Sequence, residues 1–105
     1  MKMQAFMLFL AQQPEIRKVY LLNQNYAHGQ QFSRFFREAA AASRLPIEVV
    51  GDELHPPFLI QDFKPHVDRI LASGAQALVT GNWGSDLTNL VRSLQAQKST
   101  LPLLG

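Results

Sequence analysis

Four short apolar runs recur along the chain at intervals of roughly 25–30 residues: "KVYLLN" (18–23), "IEVVGDEL" (47–54), "ALVT" (77–80) and "LPLLG" (101–105). This rhythm constrains the fold more than any other feature, because each pair of runs is separated by a stretch with helical periodicity. Between the first two, Phe32, Phe35, Phe36, Ala39 and Ala40 line one face of a predicted helix over about 30–43, with Arg34, Arg37 and Glu38 opposite. Between the next two, Phe63, Val67, Ile70 and Leu71 form a second stripe, with Asp62 as expected N-cap and Gly74 as the stop. A third stripe carries Leu87, Leu90, Val91 and Leu94, with Ser85 or Asp86 expected to cap it. Ahead of everything, residues 3–13 read as a helix apolar almost all round, ended by Pro14.

The resulting order, α-β-α-β-α-β-α-β, predicts an α/β fold: an open parallel sheet with helices on both faces, in one domain over 1–105. With 105 residues, 47% of them apolar and 17% charged, the chain has material for one core and no signature of disorder. Ten basic residues against eight acidic ones are scattered without a stripe, so no nucleic-acid partner is expected. The lack of cysteine removes disulfides, thiolate metal sites and cysteine nucleophiles. The start "MKMQAFMLFLAQQ" reads as a core helix, since Gln4 interrupts the apolar run and Phe9 stands where a cleavage site needs a small residue.

An open parallel sheet binds ligands outside the carboxyl ends of its strands. That rule singles out "NQNYAHG", "HPPF" and "NWGS". The first turn holds one glycine and so lacks the G-x-G-x-x-G that cradles a dinucleotide; no P-loop is present either. Asn23, Asn25 and Asn82 stand where a phosphorylated receiver needs carboxylates. No enzyme activity, cofactor or metal is therefore expected. His28, His55 and His66 have no metal spacing; His66 is expected at the surface, and His55 to satisfy backbone groups of the proline loop. Asp52 and Glu53 are strand neighbours and should point to opposite faces.

Aromatic and amide groups remain. Tyr26 and Trp83 follow the first and third strands, each beside an asparagine, Asn25 and Asn82. Convergence of these four on one rim would make a small-molecule pocket with aromatic walls and amide donors. The alternative is packing alone, with Tyr26 over the Phe32 helix and Trp83 over the sheet end.

The segments "KVYLLNQNYAHGQQFSRFFREAA", "DFKPHVDRILASGAQALVTGNWGSDL" and "LPLLG" resemble the type I periplasmic solute-binding proteins, in particular the branched-chain amino acid receptors of ABC transporters. The motifs that carry the resemblance are N-x-x-Y-x-x-G, D-F-x-P, S-G-A and G-N-W-G-x-D-L, in that order. It implies a two-lobed receptor that closes on a small-molecule ligand, an amino acid or a related polar or aromatic compound, and delivers it to a membrane permease from the periplasm. A sensory ligand-binding domain with the same fold is the alternative it leaves open. The resemblance covers residues 5–105 and corresponds to part of the second lobe, which leads us to expect little binding and some self-association from the chain by itself. It places Tyr26 against ligand and Trp83 at an aromatic cleft position. Asn25 departs from the aspartate frequent before that tyrosine, which removes a cation-pairing role there.

Overall fold

A computed structural model describes residues 2–56, 58–60, 62–82, 84–99 and 101–104. The elements run α1 (Lys2–Ala11), β1 (Lys18–Gln24), α2 (Ala27–Ser43), β2 (Glu48–His55), α3 (Lys64–Ala72), β3 (Ala77–Val79), α4 (Ser85–Ala96) and β4 (Leu103–Leu104). The four strands form one sheet in the order β2-β1-β3-β4, and every pairing is parallel. The alternation expected from the apolar rhythm is thus present in full.

β1 lies inside the sheet and is buried from Val19 to Gln24. Its side chains alternate between two cores. Val19 and Leu21 join Phe32 and Phe36 of α2 and Leu10 of α1 on one face. Tyr20 and Leu22 join Phe63, Val67 and Ile70 with Leu90 of α4 on the other. Helices therefore cover both faces, which is why an uninterrupted apolar run, with no polar alternation, marks this strand. In β2 the register skips Val50 between the Val19–Val49 and Tyr20–Gly51 pairs. Gly51 is required beside it: a Cβ there would lie 2.2 Å from the Tyr20 ring.

The starts of three helices differ from expectation, and the strand limits move by one or two residues. Helix α2 starts one turn early, at Ala27, with Tyr26 extended (φ −155°) just ahead of it. Buried Phe63, not Asp62, occupies the residue preceding α3; Asp62 Oδ1 still accepts the Lys64 N–H at 2.9 Å from one position further out. Neither Ser85 nor Asp86 caps α4. Gly84 precedes it, at φ 64° and ψ −140°, a conformation few residues other than glycine adopt. The Asp86 carboxylate is engaged elsewhere. Gly74, at φ 79°, follows α3 as the expected stop.

Candidate functional site

In the order β2-β1-β3-β4 the chain leaves β1 toward one edge and returns through β3 toward the other. The crevice between the carboxyl ends of β1 and β3 is therefore the topological switch point, where sheets of this kind bind ligands. The residues at that crevice are tightly joined. The Gly81 N–H donates to Asn23 Oδ1 at 2.6 Å, and the Thr80 hydroxyl donates to the Leu22 carbonyl at 2.6 Å. Thr80 Oγ1 in turn accepts the Asn82 N–H at 3.0 Å. Gly81 allows this approach, because a Cβ would meet the Phe32 ring at 2.9 Å.

The end of β2 is tied in by His55, which is fully buried. Its carbonyl accepts the Asn25 N–H at 2.7 Å, and its Nε2 lies 3.0 Å from Asn82 Oδ1. Its Nδ1 lies 3.1 Å from the Pro56 carbonyl, the backbone role expected from the proline loop. On the same side, Gln24 Nε2 donates to Asp86 Oδ2 at 2.7 Å, and the Phe58 N–H donates to the same oxygen at 2.9 Å. Phe58 adopts φ 58°, a left-handed conformation unusual for an aromatic residue.

The sequence-predicted site residues fall on this frame as follows. Asn25 is exposed, and its side-chain oxygen accepts a bond from Gln30 Nε2 at 3.1 Å. Tyr26 is half-buried at the start of α2, its ring 6.0 Å from that of His28. Asn82 is buried and joined to Asn25 through His55. Trp83 lies outside the described residues. Sequence reasoning missed Gln24, Asp86 and the linking role of His55. One signal was available: the polar pair Asn23-Gln24 closing an apolar strand.

Four buried side-chain atoms, Asn23 Nδ2, Gln24 Oε1, Asn82 Nδ2 and Asp86 Oδ1, have no hydrogen-bond partner among the described residues. All four belong to residues at the carboxyl ends of β1 and β3 or the start of α4. Buried polar groups are ordinarily paired; strand alternation sets Asn23 and Gln24 on opposite faces of the sheet, so the orphans fall on both sides of this rim, with Gln24 and Asp86 sharing one side.

A second polar cluster lies beside β2. Asp52 turns to α2, accepting from Ser33 Oγ at 2.6 Å and Arg37 Nε at 3.0 Å, while Glu53 turns to α3, as strand alternation requires. Glu53 accepts from Arg69 Nε at 2.9 Å and Arg69 Nη2 at 2.8 Å, lies 3.0 Å from His66 Nδ1, and accepts the Tyr20 hydroxyl. The Arg69 guanidinium, foremost, holds the Glu53 carboxyl down at about 2; burial and the Glu53 charge push the Tyr20 phenol up to about 12. His66, expected at the surface, is only 14% exposed, because its pairing with Glu53 draws the ring against Phe63.

Residues 1–103 match the sequence profile of a family described as periplasmic binding protein. The Leu/Ile/Val-binding protein homolog 4 of Brucella abortus is 37% identical over 76 residues, which are 72% of this chain and 18% of that protein. Among solved structures, the leucine-, isoleucine-, valine-, threonine- and alanine-binding protein of Brucella ovis, in a closed conformation, superposes with a TM-score of 0.85 at 27% identity. That superposition covers 95% of this chain and 25% of the other. A solute-binding protein of an ABC transporter from R. palustris, in complex with 4-hydroxybenzoate, shares the fold at a TM-score of 0.76 and 24% identity, over 92% of this chain and 27% of that one. The chain thus spans about a fifth of its curated relatives' length and about a quarter of the solved chains.

Proposed function

The chain belongs to the periplasmic binding protein family, with the α/β layering of its type I fold, and from that premise we propose that it forms part of the solute-binding component of an ABC-type transporter. In this reading it supplies one wall of a cleft that receives an amino acid or a small aromatic acid in the periplasm, for delivery to a membrane permease. It is a receptor, with no catalytic step. Asn25 and Tyr26 after β1, and Asn82 and Trp83 after β3, are the ligand-facing residues. The observation that carries the reading is the switch-point crevice, where the loops holding these residues are fixed to one another through Asn23, Gly81 and His55. The named ligands of the relatives favour it: leucine, isoleucine and valine in the Brucella abortus protein, these three with threonine and alanine in the Brucella ovis protein, and 4-hydroxybenzoate in the R. palustris protein.

Calorimetry and the fluorescence of the single tryptophan, Trp83, test it with L-leucine and 4-hydroxybenzoate as probes. One wall of a cleft gives weak binding, because closure of a second wall supplies much of the affinity. The expected result is a response at about millimolar ligand, corresponding to roughly 4 kcal/mol, that Tyr26→Ala removes. Micromolar binding by the 105-residue chain would refute the one-wall reading. No response to either probe at about 10 mM would refute the assignment of the crevice.

A further inference from the structure

Asp86 is fully buried in the first turn of α4, yet none of the ion pairs among the described residues includes it. Its Oδ2 accepts from two neutral donors, Gln24 Nε2 and the Phe58 N–H. Its Oδ1 has no partner among the described residues, and neither has Oε1 of Gln24, which is also fully buried. The two orphaned oxygens belong to groups already joined by a 2.7 Å hydrogen bond, so they stand no more than about 7 Å apart. The helix dipole of α4 offsets part of the charge. Neutral donors on one oxygen do not compensate a carboxylate removed from water; such a group is ordinarily paired with a positive charge. His55 does not supply that charge at Asp86, because its ring nitrogens are taken by the Pro56 carbonyl and Asn82 Oδ1 and neither is bonded to the carboxylate.

The geometry points to a binding site for a small monovalent cation, of the alkali or ammonium type, between Asp86 Oδ1 and Gln24 Oε1. The donor set is oxygen only, one anionic and one neutral, which suits a hard cation of single charge. The site goes beyond the transport reading and does not depend on it: it is built by β1 and α4 of this chain, beneath the turn that holds Phe58. The positive group has two sources, a free cation or the ammonium group of an amine-bearing solute, and the experiment separates them.

Thermal unfolding of the 105-residue chain is followed at constant ionic strength while choline chloride is replaced by sodium, potassium or ammonium chloride. Binding to the folded state alone raises the midpoint by roughly 5–10 °C for each tenfold rise in cation concentration above its dissociation constant. Asp86→Asn should lose that dependence. If a free cation is the occupant, sodium, potassium or ammonium produces the rise. If a solute's ammonium group is, L-leucine in choline produces it and 4-hydroxybenzoate does not. Broadening of the sodium-23 resonance by the unaltered chain, reversed by excess potassium or ammonium, gives a readout that needs no variant. A midpoint identical in all salts and unmoved by L-leucine, with an unperturbed sodium resonance, overturns the proposal and leaves a water or a proton at Asp86. Failure of the crevice to bind L-leucine or 4-hydroxybenzoate while the cation effect persists would overturn only the transport reading.

Discussion

Gly29 stands inside α2, where glycine weakens a helix by about 1 kcal/mol relative to alanine. Packing overrides propensity at this position. A Cβ would lie 1.8 Å from the Gln24 carbonyl oxygen, and backbone cannot give way as a flexible side chain can. Gly29→Ala should therefore destabilise the chain by about 2–3 kcal/mol, read as a lower midpoint in urea unfolding with an unchanged slope. A raised midpoint, the outcome of helix propensity alone, would refute the close approach. From the sequence, "NYAHG" reads as a turn because glycine usually punctuates a loop. Only the neighbouring strand end shows that this glycine is spacing and not punctuation. The same gap hid Asp86. An aspartate in a first helical turn has the sequence appearance of a cap, and its reach to Gln24, 62 positions away, is invisible to local patterning.

The Glu53 cluster ties three elements together: Tyr20 on β1, Glu53 on β2, and His66 and Arg69 on α3. Because the folded Glu53 pKa is depressed from 4.5 to about 2, its contribution to stability is complete above about pH 4.5 and is lost as the pH falls through 2. With the side chain 21% exposed, screening reduces that contribution to about 1–3 kcal/mol. Urea unfolding of the parent chain should weaken more steeply between pH 4.5 and 2 than that of Glu53→Gln; parallel profiles would refute the coupling. Tyr20 has the opposite sign. Its folded pKa is raised from 10.0 to about 12, so its contribution is intact below pH 10 and lost as the pH rises through 12. Strand alternation in the sequence was enough to separate Asp52 from Glu53, since a period of two is a local property. It could not place Tyr20, His66 and Arg69 around Glu53, because that depends on α3 crossing back over β1 and β2. The expectation of a surface His66 failed for this reason.

The layered α/β architecture was legible because each buried strand and amphipathic stripe is a local pattern, and parallel strands require helical crossovers. The strand order was not, since nothing in the run of four strands says on which side of β1 the chain returns. That order decides where the crevice lies, and it also decides what the edges expose. β2 forms one edge and carries Glu48 and Asp52 in exposed positions, charges that discourage pairing with another strand. β4 forms the other edge with two leucines, Leu103 and Leu104, each only half-buried, and its outer side is unpaired among the described residues. On α1, Leu8 is 67% exposed and Phe9 lies beside it at the surface. An apolar, uncharged edge and an uncovered apolar helix face both favour contact with another copy. The 105-residue chain should consequently self-associate: sedimentation velocity should show a weight-average coefficient that rises from about 10 to about 500 μM, the range in which contacts worth roughly 5–7 kcal/mol form. Sodium chloride should not reverse the rise, because the edge is apolar and salt screens charges only. A constant monomer coefficient over that range would show that the β4 edge is protected after all, and reversal by salt would move the contact to the charged β2 side.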